Sequence, residues 1–547
     1  MPRSGGPSRQ PLSPITSEPY SGTLYTMNRP VRAERLTQLP VPDKHRTRGE
    51  ARPSKRGLVR TLSLVLVHVL VLVHVAHWKI TGRTFTPLEP SEAMQTLELG
   101  HVNAGFVLFI LLILSTLLFG RFFCGWACHV MAYQDGASWI LRRLGIEPKP
   151  IRSRLLFLVP FGAAFYMFVW PSLTRMIKGH PFPALEAHFA TESFWQTFPG
   201  PIVSIIIILV CGPILVYFLG SKAFCSYGCP YGAFFGAVDA VAPGRIRVND
   251  ACEQCGICTQ VCTSNVRVSE EVAKFRAVVD TGCMKTLDCV SACPKEALSF
   301  GPAKPGLLQW SAIRKKKRRV YDFTWTEEIV LLAVFLVSGY YWRGLYEEVP
   351  FLLAVGLSIL TAFAVLILWR FVRSRDFTFQ RHVVRSAGRP TRAGLVLVPL
   401  LVAYVFLTGH SGFVQYHAKE GVRLLKKAEG TADPASRDEL VDHSLEHLQL
   451  ADRWGLVSAG GTHLQIGSIL RSKGDLEGAE NEMRKAIAAD PSMRTPYFEL
   501  ASLLIRRGAL EDAKPVLEEL LRRDPENAQA RDWLQRLEKD IEEKYTP

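Results

Sequence analysis

Seven separated apolar runs constrain the fold of this 547-residue chain more than any other feature of its sequence. Each run is about long enough to cross the ~30 Å hydrocarbon core of a bilayer as an α-helix. The predicted spans are 58–78, 104–123, 155–172, 200–220, 326–343, 350–370 and 393–410. The sequence therefore predicts an α-helical multi-pass membrane protein rather than a string of soluble domains.

The charge of the connecting segments alternates along the chain. Lys and Arg crowd every second segment, namely 1–57, 142–154, 314–319 and 370–392, and they are sparse at 79–103, 173–199 and 344–349. By the positive-inside rule the basic segments lie in the cytoplasm, which predicts an inner-membrane protein with its N-terminus inside and its last ~135 residues in the periplasm. The net charge of +15 is then a topology signal, and we predict no nucleic-acid partner.

The N-terminal segment 1–57 carries eleven Lys/Arg against four Asp/Glu, with much Pro, Ser and Gly. Such a composition cannot bury a core, so we predict a disordered basic tail. The segment is too long and too poor in apolar residues for a cleavable signal peptide, so the first span is expected to remain as an anchor.

The C-terminal region repeats with a period of 34 residues. Gly474, Ala479 and Pro491 recur as Gly508, Ala513 and Pro525. This period is typical of tetratricopeptide helix pairs, which stack into an α-solenoid and bind protein clients. Two repeats are marginal alone, so we also predict a degenerate helix pair within 413–457 and a closing helix at 528–544.

All but one of the twelve cysteines fall in compact groups with the spacing of metal ligands, which disfavours a disulfide framework. Seven follow the spacing of bacterial two-cluster ferredoxins, in which the fourth cysteine of each run binds the other cluster. One [4Fe-4S] cluster is predicted on Cys252, Cys255, Cys258 and Cys293, and a second on Cys262, Cys283 and Cys289. Zinc is the alternative, but a three-cysteine run that ends in Cys-Pro is not typical of zinc ribbons.

The second predicted cluster lacks one ligand, because Thr286 stands where its remaining cysteine is expected. Three alternatives remain open at this site. It holds a [3Fe-4S] cluster, a [4Fe-4S] cluster with water or Asp288 on one iron, or no intact cluster.

Two Cys-x-x-x-Cys pairs, Cys124/Cys128 and Cys225/Cys229, follow the cytoplasmic ends of the second and fourth spans. Together they offer four thiolates to a further metal centre, or they form a dithiol redox relay. The alternative is that they are small buried residues that pack helix ends. Cys211, inside the fourth span, is predicted to pack.

Several histidines lie in or near the first two spans, where a polar ring is costly unless it faces a partner. They are His68, His74, His77 and His101. Haem ligation or quinone contact is an open alternative, although no pairing at one depth emerges from the sequence.

These motifs resemble the membrane polyferredoxin family that includes NapH, the C-terminal half of NosR, and the CcoG proteins, also called FixG or RdxA. The resemblance covers about 58–303 and rests on Gly120-Arg-Phe-Phe-Cys-Gly-Trp-Ala-Cys128, on Phe224-Cys-Ser-Tyr-Gly-Cys-Pro-Tyr-Gly232 and on the double ferredoxin motif. It implies electron transfer between the quinone pool or cytoplasmic donors and periplasmic or copper-related acceptors.

The chain departs from that family at three positions. His129 replaces the usual proline after the first pair, Thr263 replaces the one after Cys262, and Thr286 removes a ligand. The C-terminal repeats resemble no tail of the named members, and no flavin domain like that of NosR is visible. Their specific partners are therefore not transferred.

The predicted fold is an α-helical multi-pass membrane protein with an inserted α+β two-cluster ferredoxin module and a C-terminal α-solenoid. The expected order is a tail at 1–57, a four-span domain at 58–244, the ferredoxin module at 245–303, a basic linker at 304–325, a three-span domain at 326–410 and the repeats at 411–547.

We expect a membrane-bound electron-transfer protein with redox protein partners. The alternatives are an assembly factor that reduces copper or thiols for a respiratory complex, and a scaffold whose clusters are structural. No glycine-rich phosphate loop and no nucleophile–base pair stands out, which favours a component of a redox complex over a stand-alone enzyme.

Overall fold

The computed structural model describes residues 55–192, 194, 200–309 and 321–545. The predicted basic tail lies outside these residues up to position 54, and the basic run at 314–319 also lies outside them.

Seven apolar helices or helix series lie at the positions of the predicted spans. By length and composition, five of those in the described ranges could cross a membrane: Arg56–Thr81, Leu156–Ile177, Pro201–Leu219, Phe351–Arg373 and Arg392–Glu429. Ala104–Phe119 is apolar but has only 16 residues. Trp325–Trp342 begins with the acidic Glu327 and Glu328. The chain is therefore mostly helical with several apolar helices, and the count of seven spans stays a prediction.

The helix Phe351–Arg373 lies at the centre of the apolar helices. In an apolar stretch of 18 residues of this helix, 78% of the residues are buried, against 6% in the corresponding stretch of Arg56–Thr81. Its side chains Ile359 and Phe363 belong to one core with Leu215 and Leu331 from neighbouring helices. The first helix therefore lies at the periphery.

Two of the apolar series contain a π-helical turn, at Phe165–Val169 and at Val210–Ile214. The second interruption follows from Pro213, which has no backbone N–H, and from Gly212, which leaves the helical region. There the amide of Gln134 donates to the carbonyl of Cys211. Cys211 itself is buried in the main apolar core, as expected for a packing residue.

The segment between the first two apolar helices folds back instead of remaining a simple outer loop. Its short helices, Pro90–Glu92 and Ala93–Leu99, pack against Ala104–Phe119. Gly105 permits this approach, because a Cβ there would lie 2.4 Å from the carbonyl oxygen of Glu89. Short strand pairs join the same segment to a later loop: Thr84–Phe85 with Ala190–Thr191 and His101–Val102 with Glu186–Ala187.

A small α+β unit lies between the apolar helices, at the position predicted for the ferredoxin module. Strands Gly244–Val248 and Leu298–Pro302 are antiparallel, with Gly244 opposite Pro302. Three short helices accompany them, Ile257–Gln260, Val268–Phe275 and Asp288–Ser291. The core of this unit consists of valines, Ile246, Leu298 and cysteine side chains. We call residues 244–302 the ferredoxin-like unit, after the prediction made for this segment from its cysteine spacing.

The remaining elements of the membrane part connect these helices. They are the helices Phe122–Trp126, His129–Arg143, Ala223–Tyr227 and Pro230–Asp239, the 3-10 turns Leu307–Gln309 and Leu345–Glu347, and the three-stranded sheet of Phe377–Phe379, His382–Ser386 and Arg389–Pro390.

The last apolar helix, Arg392–Glu429, is a single helix of 38 residues and is about 57 Å long. It continues well past the end predicted at 410 and pairs with Pro434–Trp454, the expected degenerate pair. The helices that follow are Gly460–Ser472, Leu476–Ala489, Thr495–Arg506, Leu510–Arg523 and Ala528–Tyr545. Gly474 and Gly508 both adopt positive φ at equivalent turns, and Ala479 and Ala513 are both fully buried, so the 34-residue period is a structural repeat.

A turn of the apolar part contacts the repeats. The backbone N–H of Leu456 donates to the Tyr346 hydroxyl (2.9 Å), and the N–H of Gly461 donates to Oε2 of Glu347 (3.1 Å). Glu347 thus lies at the N-terminus of Gly460–Ser472, where the helix dipole favours a negative charge. Tyr346 and Glu347 have φ values of 54° and 64°, which side chains rarely adopt. The two hydrogen bonds stabilise this turn, whose backbone conformation is otherwise unfavourable.

Candidate metal centres

The two cysteine pairs lie on the same local structure, which occurs twice. Each preceding apolar helix ends at a glycine with positive φ, Gly120 or Gly220. A five-residue helical turn then carries the first cysteine, and a new helix begins directly after the second. Because the second cysteine precedes a helix N-terminus in both copies, the two pairs are presented with the same backbone geometry.

The two pairs converge on one place. Cys225 is buried and packs in one cluster with Cys124 and Cys128. Cys229 lies within electrostatic range of all three. All twelve cysteines are free thiols in the described residues, so no disulfide occupies this position. We call Cys124, Cys128, Cys225 and Cys229 the four-cysteine centre.

Arg121 is a buried cation at this centre and is only 6% exposed. Its guanidinium lies within electrostatic range of Cys124 and Cys229. One of its terminal nitrogens donates to the carbonyl of Thr281 (3.1 Å), while its buried Nε has no hydrogen-bond partner among the described residues.

Lys222 is a second buried cation and is fully inaccessible. Its Nζ lies 2.7 Å from Sδ of Met131 and also bonds Asp135. Arg121 and Lys222 each precede the first cysteine of a pair by three positions. A basic residue at the same offset before each cysteine pair can be read from the sequence, although it is not among the motifs described above.

Two carboxylates lie beside these cations, Asp239 fully buried and Asp135 with 24% of its side chain exposed. Asp135 pairs with Lys222 and Arg60. Asp239 accepts from Lys285 Nζ (2.8 Å) and from the backbone N–H of Arg121 (3.0 Å), and lies 3.9 Å from Arg245. In these networks the cations outnumber the carboxylates. The cations are Arg60, Arg121, Lys222, Arg245 and Lys285, and the carboxylates are Asp135 and Asp239.

In the ferredoxin-like unit, one cavity is lined by the four cysteines predicted for the first cluster: Cys252, Cys255, Cys258 and Cys293. The N–H of Ala297 donates to Sγ of Cys293 (3.3 Å). Burial, followed by the neighbouring Cys255 and Cys252, raises the pKa of Cys258 to about 11. The thiolates therefore need a nearby positive charge, which a metal centre supplies.

The other three cysteines of the unit converge as a second group. Burial and Cys283 raise the pKa of Cys262 to about 12, and Asp288 contributes in the same direction. Burial, Cys283 and Cys262 also raise the pKa of Cys289. The structure thus brings Cys262 to Cys283 and Cys289, across from its own run, as the predicted exchange of fourth cysteines requires.

Backbone symmetry within the unit identifies the position of Thr286. Positions 31 residues apart share positive φ angles: Gln254 with Lys285 (53° and 51°), Gly256 with Leu287 (79° and 64°), and Asn265 with Glu296 (59° and 49°). The same offset places Thr286 at the counterpart of Cys255. Thr286 therefore occupies the backbone counterpart of a predicted ligand and offers a hydroxyl there.

Met284 joins the two parts of the candidate site. It follows Cys283 in the ferredoxin-like unit and is fully buried in one cluster with Cys225, against which Cys124 and Cys128 pack. The indole N–H of Trp126 donates to the carbonyl of Lys285 (2.9 Å). Gly125 permits this contact, because a Cβ there would lie 2.3 Å from the carbonyl oxygen of Met284.

The histidines of the first helix bond to local groups. His68 Nδ1 lies 2.8 Å from the carbonyl of Leu64, His74 Nε2 lies 3.1 Å from that of Phe85, and His77 Nδ1 lies 2.9 Å from the Thr84 hydroxyl. The His101 ring stacks on His188. The structure does not bring these histidines together as a haem-ligand pair in its described part.

Two regions of the chain match models of known protein families. A family model for a 4Fe-4S binding domain matches residues 104–147 and 203–249, which contain the two cysteine pairs. A tetratricopeptide repeat model matches residues 470–537. The chain carries a 4Fe-4S binding domain and tetratricopeptide repeats. This confirms the resemblance to ferredoxin-type membrane proteins and the repeats expected from the 34-residue period.

Several curated proteins are similar to the first half. The YccM protein of Escherichia coli K12 is 27% identical over 247 residues, which are 43% of this chain and 65% of YccM. The methylamine utilization ferredoxin-type protein MauN of Methylorubrum extorquens is 26% identical over 32% of this chain and 60% of MauN. The ferredoxin-type protein NapH of E. coli K12 is 25% identical over 39% of this chain and 74% of NapH. The matches thus span less than two thirds of YccM and of MauN.

Among solved structures, a thermophilic TPR protein of Thermus thermophilus is 16% identical to the protein described here. The match covers 39% of this protein and 98% of the Thermus protein, with a TM-score of 0.21. The repeat assignment rests on the family model and on the helix packing.

Proposed function

We propose that this chain is an inner-membrane iron–sulfur protein that transfers electrons between its ferredoxin-like unit and the four-cysteine centre. NapH and MauN are named ferredoxin-type proteins, and the 4Fe-4S family model covers both cysteine pairs. The donor is cytoplasmic or in the quinone pool, and the acceptor lies in the membrane or the periplasm.

The observation that carries the proposal is the position of Met284. Its side chain is fully buried in one cluster with Cys225, and Cys124 and Cys128 pack against that cluster. The backbone of Met284 continues directly into Cys283 of the second group. The adjacent residues Cys283 and Met284 therefore connect the second cysteine group of the ferredoxin-like unit to the four-cysteine centre. This proximity supports electron exchange between the two centres.

The buried charge supports a metal centre on the four cysteines rather than a dithiol relay. Neutral thiols or a disulfide would leave the excess of buried cations uncompensated, and an uncompensated buried charge is strongly destabilising. An iron–sulfur cluster with four thiolate ligands is anionic, because its thiolates and sulfides carry more negative charge than its irons carry positive charge. Arg121 and Lys222 would stabilise that anion, so donor set and charge both fit the group.

Within the ferredoxin-like unit we assign a [4Fe-4S] cluster to Cys252, Cys255, Cys258 and Cys293. A second cluster, [4Fe-4S] or [3Fe-4S], is assigned to Cys262, Cys283 and Cys289. Thr286 at the counterpart of Cys255 supports a second cluster with one iron that lacks a cysteine ligand.

The charge pattern supports seven spans, with the ferredoxin-like unit in the cytoplasm and the repeats in the periplasm. The repeats would bind a protein partner there, because stacked helix pairs form extended binding surfaces. A client of the repeats also favours the second candidate function, an assembly factor that reduces copper or thiols for a respiratory complex.

The test is iron and sulfide analysis with anaerobic EPR on the full chain in detergent, with Cys225→Ser compared to Cys211→Ser. Both residues are buried cysteines of the same region, but Cys211 lies outside the four-cysteine centre. We expect Cys225→Ser to lose about four irons per chain and one EPR signal on dithionite reduction, while Cys211→Ser keeps both.

Equal iron content in the two variants would exclude a metal from the four-cysteine centre. Absence of any cubane signal from the iron-replete parent protein would reject the electron-transfer function itself. To separate the second candidate, a strain without this gene should be assayed for quinol-linked electron flux and for mature oxidase. Loss of the oxidase with normal flux would favour the assembly factor.

A further inference from the structure

Two histidines meet between the first two helices of the C-terminal region, far along the chain from the cysteines. His417 lies on Arg392–Glu429 and His447 on Pro434–Trp454, and their Nδ1 atoms are 2.9 Å apart. The rings are tilted, with centroids 4.7 Å apart, and Phe413 packs on His417 at 4.5 Å. Two ring nitrogens, one of which carries the proton of the hydrogen bond, therefore face each other from different helices.

A carboxylate lies on the same face of the longer helix. Glu420 follows His417 by three residues, so the two side chains are neighbours on the helix surface. Glu420 is within electrostatic range of His447. His417 and Glu420 have the i, i+3 spacing of the Glu-x-x-His pairs that bind metal ions in helical bundles, although in the reverse order, and His447 faces them from a second helix.

The geometry points to a binding site for a divalent transition-metal ion of the Ni²⁺ or Cu²⁺ type, with His417 Nδ1, His447 Nδ1 and the Glu420 carboxylate as ligands. The spacing favours these ions. Two nitrogens each about 2.05 Å from an ion and about 2.9 Å apart subtend about 90°, the cis angle of tetragonal Ni²⁺ and Cu²⁺ sites. A tetrahedral Zn²⁺ site would need the nitrogens about 3.3 Å apart.

The contact between the two rings suits a metal. A hydrogen bond between two Nδ1 atoms needs one of them to be without a proton, so at least one ring nitrogen already presents a lone pair. At present the two Nδ1 atoms share one proton in a hydrogen bond. An ion takes the place of that proton, which moves to Nε2 of the donor ring through solvent.

Glu420 must turn to complete the site. No three such side chains already stand at metal-ligand spacing in the part of the chain that the structure describes. Arg423 holds Glu420 through two hydrogen bonds, from Nε to Oε2 (2.8 Å) and from Nη2 to Oε1, and the Arg423 side chain is 65% exposed. A bound ion must therefore compete with Arg423 for the carboxylate, in a pair that solvent screens on the arginine side.

The test is a calorimetric titration of Ni²⁺ into the full chain, purified without a polyhistidine tag and handled anaerobically so that iron–sulfur chemistry is undisturbed. We expect one Ni²⁺ per chain, and an affinity lowered by more than about tenfold in both His417→Ala and His447→Ala. Glu420→Gln should weaken binding as well. His443→Ala is the matched control, because His443 lies one helical turn from His447, is exposed and is not a ligand.

Unchanged Ni²⁺ affinity in His417→Ala, with a thermal unfolding profile like that of the parent, would overturn the site. Equal weakening in His443→Ala would show unspecific surface histidine binding and would overturn it too. The iron content of the same samples reports separately on the proposed clusters, so failure of one proposal leaves the other intact.

Discussion

Lys285 Nζ lies 2.8 Å from Oδ1 of Asp239, and both side chains are fully buried where the ferredoxin-like unit meets the apolar helices. Asp239 ends the helix that follows the second cysteine pair, and Lys285 follows Met284. One ion pair therefore helps hold the two cysteine-bearing parts together. Gly120 is needed beside it, because a Cβ there would lie 2.4 Å from Asp239 Oδ1 and 2.8 Å from Cε of Lys285.

The first prediction concerns this pair. Asp239→Asn should destabilise the chain by about 3–5 kcal/mol, because Lys285 and the other buried cations lose their carboxylate. Lys285→Met should cost less, since Asp239 keeps Arg245 and the Arg121 N–H. Denaturant titration in detergent measures both. The double variant should recover part of the loss, and an Asp239→Asn protein as stable as the parent would contradict the prediction.

Much of the organisation can be read from the sequence because it depends on local patterns. Ligand spacing groups Cys252 with Cys293, and the structure places both residues around one cavity. The spacing of Gly474 and Gly508 predicts the repeats, which the family model confirms. The buried cations were missed, because whether Arg121 or Lys222 is buried depends on contacts made by distant segments. The same holds for the contact between Glu89 and His129 (3.9 Å), which needs the fold-back of 90–99. The sequence predicts a helix pair within 413–457 but not that the last apolar helix continues through residue 410 into it, because its polar second half lacks the apolar signal of a span.

The second prediction concerns Met284. Met284→Ala should open a cavity beside the four-cysteine centre and destabilise the fold by about 2–5 kcal/mol. It should also slow electron exchange between the ferredoxin-like unit and the four-cysteine centre. Rapid-mixing reduction monitored by absorbance and freeze-quench EPR measures that rate. Met284→Leu is the control, because it conserves volume and should cost less than about 1.5 kcal/mol. Equal rates in parent and Met284→Ala would remove Met284 from the pathway.

The third prediction concerns Thr286. Thr286→Cys should supply the missing thiolate and raise the iron content of the second site to that of a full [4Fe-4S] cluster, because this position is the backbone counterpart of Cys255. EPR of air-oxidised and dithionite-reduced protein measures the change. Thr263→Cys adds a thiol next to Cys262 but away from that counterpart, and it should leave the spectrum unaltered. Identical spectra for Thr286→Cys and parent would refute the assignment.

The fourth prediction is a pH dependence in the repeats. Burial opposes ionisation of Glu482, but hydrogen bonds from His463 (2.6 Å) and Lys485 (2.7 Å) outweigh it and hold the pKa of Glu482 below its usual value. A carboxyl with a depressed folded-state pKa contributes stability above its unfolded pKa near 4.5 and loses it as the pH falls through the folded value.

We therefore expect the helices Gly460–Ser472 and Leu476–Ala489 to exchange amide hydrogens faster as the pH is lowered below about 4.5, after correction for intrinsic rates. Glu482→Gln should be less stable at pH 7 and show a weaker dependence on acid. Glu518→Gln, at an exposed position on a later helix, should behave like the parent. Acid sensitivity that is unchanged in Glu482→Gln would assign the effect to other groups.

The uninterrupted helix Arg392–Glu429, together with the contacts of Tyr346 and Glu347, has a consequence for any protein that binds the repeats. A flexible linker would let a captured partner sample a large volume, and its effective concentration at the membrane surface would fall with linker length. Here the continuous helix and the two contacts connect the apolar helices to Gly460–Ser472 without a flexible linker. A bound partner would be held at one distance and one orientation relative to the bilayer. The number of helical turns beyond residue 410 would set that distance.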